Sequence, residues 1–234
     1  MNSPLRNRRF LLGGGGFSTQ SDPLLDVRLL QITGKNRPSI CFLPTASGDS
    51  ENYVKEFENR FNELPCVPTV LSLFRPHTAD IEGLLMSKDV IYVGGGNTKN
   101  MLALWREWGL IEILIGANAH GCVLAGVSAG LICWFEEGIT DSEYGRFGPL
   151  RGIGEMAGLA CPHFDSESGR QAATDAVFAA SNHTVGYGVQ DGVALDFQSS
   201  HLIEAVTSRP GAGYFQYNRV DGAWQATFSA ARTL

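Results

Sequence analysis

Little in this sequence suits a secreted, membrane-bound or nucleic-acid-binding fold. Its five cysteines (Cys41, Cys66, Cys122, Cys133 and Cys161) are odd in number and show no C-x-x-C spacing; three lie in apolar runs, where a thiol packs as a small hydrophobe. That argues against a disulfide framework and for a reducing cytoplasm. The segment from Met1 to Arg9 is basic, but only Phe10-Leu11-Leu12 follows before four glycines. This is too short for a signal peptide or a membrane span, so the segment reads as a lead-in to the first strand. Positive charge is scarce too: 18 Lys+Arg against 24 Asp+Glu leave a net charge of -6. Such a surface offers no footprint for a phosphate backbone or an anionic membrane. There is no fixed-period repeat, low-complexity tract or Pro/Gly-rich linker, so residues 1–234 are expected to form a single domain.

What is present is apolar patterning, with 44% hydrophobic residues over 234 positions, enough for a full core. Short apolar runs end in glycine, serine or proline and are followed by helical spacing, the pattern of a mostly parallel sheet flanked by helices. The runs are Phe10 to Leu12, Ile40 to Leu43, Val90 to Val93 and Val123 to Ala125, and helices are expected at Asn52 to Glu63, Asn97 to Trp108, Leu110 to His120 and Ala129 to Phe135. Near the C-terminus, alternating strands at Val193 to Phe197, Leu202 to Val206, Tyr214 to Val220 and Trp224 to Phe228 predict an antiparallel edge, preceded by a helix over about Ser168 to Ala180. The fold class is therefore α/β. In such sheets the loops at the carboxyl ends of the strands build the site.

One of those loops is Gly126-Val127-Ser128-Ala129-Gly130. A serine flanked by glycines at i-2 and i+2, between strand and helix, is the pattern of an exposed, strained nucleophile. The helix after it would point Ala129 N–H at a developing oxyanion, and Gly94-Gly95-Gly96-Asn97 leaves a neighbouring strand to supply a second donor. These glycines lack both the G-x-G-x-x-G frame with its ribose acid and the Walker lysine-serine ending, which disfavours a nucleotide site.

Of five histidines, His77, His120, His183 and His201 read as surface residues, whereas Ala157 to Pro162 leads into His163 as a strand that then stops. His163 is thus the candidate base. Such a base needs a carboxylate to hold its tautomer, and Asp165, Asp141 and Asp191 all compete on sequence grounds.

With these residues assembled, the sequence resembles the serine peptidase family of aspartyl dipeptidase (peptidase E) and cyanophycinase, whose fold is like that of class I glutamine amidotransferases. The markers are Gly13-Gly14-Gly15-Gly16, Leu43-Pro44-Thr45-Ala46-Ser47, Tyr92-Val93-Gly94-Gly95-Gly96-Asn97-Thr98, the serine elbow, Pro162-His163-Phe164 and Gly188-Val189-Gln190-Asp191-Gly192. The resemblance implies Ser128 as nucleophile, His163 as base, and an acid at Asp191, where relatives commonly carry glutamate. Asp141 stays as an alternative or auxiliary acid. It also implies an oxyanion hole from Gly96 and Ala129, with Asn97 bracing that loop beside the substrate.

Amidotransferase relatives carry cysteine where Ser128 stands, so glutaminase chemistry is disfavoured. The dipeptidases select aspartate with a loop between the histidine and a later arginine. Here only Asp165 to Gly169 separates Phe164 from Arg170, and aspartyl selectivity is not expected to carry over. Arg170 is the candidate for binding a substrate carboxylate, because a guanidinium forks onto one well. The expectation is a serine peptidase acting on small peptides, with no metal or cofactor and a homodimer left open. Its rival is a non-catalytic binding or regulatory protein on the same fold.

Overall fold

The computed structural model describes residues 5–19, 22–143 and 145–234; the first four residues of the basic lead-in lie outside these. The strands are β1 (Arg8–Leu12), β2 (Ser39–Leu43), β3 (Val67–Val70), β4 (Val90–Val93), β5 (Val123–Val127), β6 (Phe135–Glu143), β7 (Arg146–Arg151), β8 (Met156–Cys161), β9 (Val185–Val189), β10 (Val193–Gln198), β11 (His201–Thr207), β12 (Gly213–Val220), β13 (Ala223–Ala230) and β14 (Arg232–Thr233). The α-helices are α1 (Leu24–Ile32), α2 (Glu51–Asn62), α3 (Ile81–Met86), α4 (Thr98–Glu107), α5 (Leu110–Ala119), α6 (Ala129–Ile132) and α7 (Arg170–Ala180).

The strands form two sheets. An eight-stranded sheet runs β14-β11-β10-β1-β5-β4-β2-β3 and a six-stranded sheet runs β13-β12-β9-β8-β6-β7. In the first, β1, β5, β4, β2 and β3 pair in parallel, while β10 lies antiparallel to β1 and β11 antiparallel to β10. In the second, β6, β8 and β9 are parallel and the outer strands antiparallel. The parallel strands β4 and β5 are buried throughout, as strands covered on both faces must be. Helix α4 buries Thr98, Met101, Leu102 and Trp105, one stripe at i, i+3, i+4 and i+7.

Two expectations change. The four C-terminal strands do not make one antiparallel edge: β10 and β11 extend the first sheet, whereas β12 and β13 cap the second by pairing with β9. Strand alternation reports which face is buried and carries no information about the partner. The helix expected over Ala129 to Phe135 stops after one turn at Ile132, and Phe135 opens β6. Its run of large apolar residues is buried from all sides, so it lacks the one-sided periodicity that separates helix from strand.

Both sheets line one apolar cluster: Leu11 and Leu124 of the first sheet pack in the same core as Phe135, Ala160 and Val189 of the second. The carboxyl ends of β1, β4, β5 and β8 meet there, and the glycine loops gather at those ends. No helix among the described residues is long and apolar enough to cross a membrane.

Candidate active site

The turn after β5 holds Ser128 at φ 56° and ψ -106°, a conformation that a residue with a side chain adopts only where its surroundings enforce it. The two flanking glycines enforce it by close approach. A Cβ on Gly126 would lie 2.4 Å from the carbonyl oxygen of Gly130, and one on Gly130 would lie 2.3 Å from that of Val93. With both positions bare, chain reversal is tight enough to start α6 at Ala129, whose N–H is beyond the reach of intrahelical bonding.

His163 also has a positive φ, 51°, two residues beyond β8. Its Nδ1 lies 2.7 Å from Asp191 Oδ1. The three acids left open by the sequence are therefore separated in space. Asp191 faces the imidazole. Asp165 supports it from behind: its Oδ1 accepts the Asp191 N–H at 2.9 Å, and its Oδ2 receives Arg209 Nη1 at 3.0 Å. The same Arg209 nitrogen donates to the Asp191 carbonyl at 2.8 Å. Asp141 is exposed and lines, together with Ser128, a pocket to which neither His163 nor Asp191 contributes.

Burial pushes the Asp191 carboxyl up, but hydrogen bonds from His163 and Ser166, with the charges of His163 and Arg209, outweigh it and hold it below the ordinary aspartate range. An ionised carboxylate only accepts, so Nδ1 carries the proton of the neutral ring and Nε2 keeps its lone pair. Among the described residues no hydrogen bond joins Ser128 to the ring; such contacts are often long before substrate binds.

One short stretch of chain holds all three groups in register. The Leu12 carbonyl accepts Ser128 N–H at 3.1 Å, that of Gly13 accepts His163 N–H at 3.2 Å, and that of Gly14 accepts Gly192 N–H at 2.9 Å, next to Asp191. Gly14 and Asp191 form an isolated parallel bridge. The glycine run is thus the spine of the site, a role that composition alone did not suggest. Gly13 has to be bare because a Cβ there would lie 2.5 Å from the Val189 carbonyl.

The loop after β4 supplies the other wall. Gly96, at φ 134°, presses against the Ala46 carbonyl, 2.2 Å from where a Cβ would stand. Gly95 N–H donates to Tyr53 Oη at 3.1 Å and Asn97 N–H to the Ala46 carbonyl at 2.8 Å, leaving Gly96 N–H uncommitted among the described residues. Asn97 caps α4 by accepting Asn100 N–H at 2.9 Å and donates from Nδ2 to the Ser142 carbonyl at 3.2 Å. Both ends of its amide are occupied in bracing the loop. Tyr53 and Ser142 had no signal in the linear sequence.

Gly96, Asn97, Ser128, Asp141, Ser142, Glu167 and Arg170 line a pocket of about 340 Å³. Arg170 differs from its expected role as an open carboxylate fork. Its side chain is only 4% exposed, Nε and Nη2 reach Glu167 Oε2 at 2.8 and 2.7 Å, and Nη1 donates to the Ile139 carbonyl at 2.8 Å. The guanidinium also sits 4.6 Å from the centre of the Phe147 ring. His183 is likewise no surface residue: at 17% exposure it lies between Glu136 and Glu137, its Nε2 3.1 Å from the latter.

All five cysteines are buried and free. Burial pushes the thiols of Cys41, Cys66 and Cys161 up to about 11 and raises those of Cys122 and Cys133 as well, so none is activated as a thiolate nucleophile. Among the described residues no group of three or more His, Cys, Asp or Glu side chains could hold a metal ion.

A strand-to-helix serine and a histidine-carboxylate pair, both tied by backbone hydrogen bonds to the tail of β1, sit at the carboxyl ends of a mostly parallel sheet. The profile of Peptidase family S51 matches residues 9–205, and the chain belongs to that family. It is 50% identical over 202 residues to a protein described as the uncharacterized peptidase YgaJ of Bacillus subtilis (strain 168), covering 86% of this chain and 87% of the other. Among solved structures, a peptidase from an acI-B1 Actinobacterium superposes with a TM-score of 0.72 at 17% identity, covering 96% of this chain and 94% of that one. A putative peptidase E protein from Listeria monocytogenes EGD-e gives 0.61 at 18% identity, covering 84% and 96%. At those identities the two structures speak for the fold. The family match makes the chain a peptidase, a hydrolase.

Proposed function

We propose that the chain is a serine peptidase of small peptides working through an acyl-enzyme. Ser128 Oγ attacks the scissile carbonyl and His163 Nε2 takes its proton. Asp191 holds the ring and stabilises the imidazolium, and the N–H groups of Gly96 and Ala129 receive the oxyanion. Collapse of the tetrahedral intermediate passes the proton from His163 to the leaving amine. Water then repeats the sequence on the acyl-Ser128 ester, releasing the acid and restoring the hydroxyl.

The observation that carries this reading is the His163–Asp191 contact of 2.7 Å, anchored to the same β1 tail that anchors Ser128. The pocket of about 340 Å³ lies near the lower end of the range for ligand sites, about 300–1,000 Å³, which favours a short peptide. A fluorophosphonate probe tests the nucleophile. One covalent adduct on the wild type and none on Ser128→Ala is expected, and labelling that survives in the variant removes Ser128 from the role.

A further inference from the structure

The oxyanion donor of the β4 loop stands in the least constrained stretch of the site. Gly96 N–H belongs to the peptide between Gly95 and Gly96, and Gly94 precedes them, so none of the three residues carries a Cβ. A peptide plane in such a run turns over at little steric cost unless the planes on either side are held. Both are held here. On one side Asn97 N–H donates to the Ala46 carbonyl at 2.8 Å. On the other, Gly95 N–H donates to Tyr53 Oη at 3.1 Å. The first hold is main chain to main chain, whereas the second depends on a single side-chain oxygen carried by α2.

That oxygen is well fixed. The Tyr53 ring stacks on Phe17 with centroids 5.2 Å apart and 25° between the planes, and it meets the edge of Phe42 at 5.1 Å. It also presses on the loop, since a Cβ on Gly94 would lie 2.9 Å from its Cε1. Phe17 follows directly on the Gly13 to Gly16 run, whose carbonyls hold His163 and, beside Asp191, Gly192. Tyr53 therefore joins the strand tail that registers the base to the loop that must meet the oxyanion. The nucleophile is close by: a Cβ on Gly95 would lie 3.4 Å from Ser128 Cβ and 3.9 Å from Tyr53 Oη. Burial raises the Tyr53 hydroxyl above its ordinary pKa despite hydrogen bonds from Gly95 and Ser18, so it stays neutral and the hold is dipolar.

Given the serine-peptidase reading of this site, on which the inference rests, we propose that Tyr53 is a positioning residue for the oxyanion hole. Its hydroxyl fixes the Gly95 peptide so that Gly96 N–H faces the oxygen that becomes negative when Ser128 attacks. Tyr53 stands outside the lining of the Ser128 pocket and acts through Gly95 alone.

Tyr53→Phe tests this in the full chain, because the ring and its stacking stay and only the hydroxyl goes. The substrates are a panel of aminoacyl and dipeptidyl p-nitroanilides. The inhibitors are the aldehyde of the best-hydrolysed sequence and the matching alcohol. Ser128 Oγ adds to the aldehyde carbon, its proton passing to His163, and the former carbonyl oxygen takes the oxyanion position; the alcohol forms no such adduct. Outright loss of an oxyanion donor costs about 10²–10³ in kcat, so a donor left in place but unpinned should cost about 10-fold, with KM nearly unchanged. Aldehyde affinity should fall by a similar factor while alcohol affinity stays, a split that a merely structural role would not produce. Urea unfolding of both proteins shows that the kinetics are those of folded enzyme. A folded variant with wild-type kcat and aldehyde affinity, or one changed in KM alone, overturns the role while leaving Ser128-dependent turnover and the peptidase reading standing. Equal losses for aldehyde and alcohol, or loss of folding, make Tyr53 structural instead. No Ser128-dependent turnover of any substrate by the wild type takes both down.

Discussion

Gly14 lies flat against the His163–Asp191 pair: a Cβ placed on it would stand 1.9 Å from Asp191 Oδ1 and 2.7 Å from His163 Nδ1. The pair therefore meets across a backbone with no side chain, and one methyl group would part it. Gly14→Ala is expected to lower kcat on the order of 10²-fold, since misplacing a reacting group by about 1 Å can cost that much. A suitable control is Gly116→Ala in α5, where nothing stands within 4 Å of the new Cβ; it should raise stability by about 0.5–1 kcal/mol. Steady-state kinetics with urea unfolding of both variants checks this, and a Gly14→Ala enzyme of normal kcat contradicts it.

Asp191→Asn should reduce kcat by about 10²–10⁴-fold, because an amide NH₂ facing Nδ1 favours the tautomer protonated at Nε2. Asp141→Asn, which leaves the His163 contact intact, should cost less in kcat. Equal or reversed losses would take Asp191 out of the role.

Arg170→Ala is expected to destabilise the fold by about 3 kcal/mol, since it leaves a buried carbonyl at Ile139 without its donor and removes a buried cation from its partners. Arg170→Lys should recover only part of this, because a point charge cannot make the forked contacts with Glu167 and the stacking on Phe147 together. Midpoints of urea unfolding for the three proteins read the effect, and a fully stable Arg170→Ala would show that the network contributes little.

A pH dependence of stability follows from Asp26, 1% exposed and 3.0 Å from Arg60. Burial pushes its carboxyl up to about 7 despite that pairing, with the nearby Asp22 charge adding to the rise. The native state then holds a proton that the unfolded chain releases near its ordinary value of 3.8, so stability falls as pH rises between these values. Asp26→Asn cannot ionise. Relative to wild type it should become progressively more stable from pH 4 to pH 7 and level off above. Unfolding midpoints of both proteins across that range decide the matter, and a flat difference would mean that Asp26 is ionised throughout.

The elbow serine, the histidine after a terminated strand and the glycine-ended strands of a mostly parallel sheet were legible in the sequence. Each is a local pattern: Gly126 and Gly130 permit a turn that few sequences permit, and buried parallel strands are written as short continuous apolar runs. Which carboxylate faces His163 was not legible, because Asp141, Asp165 and Asp191 stand on three different segments and only their packing orders them. The same holds for Arg209, 44 residues from the Asp165 it clamps, and for the β1 tail, whose carbonyls act on residues more than a hundred positions away. Arg170 shows the limit most plainly. Its charge is a property of the sequence, but whether that charge faces a substrate or is neutralised by Glu167 in the pocket wall was decided by the turn from His163 to Gly169 and by the position of Phe147 on β7.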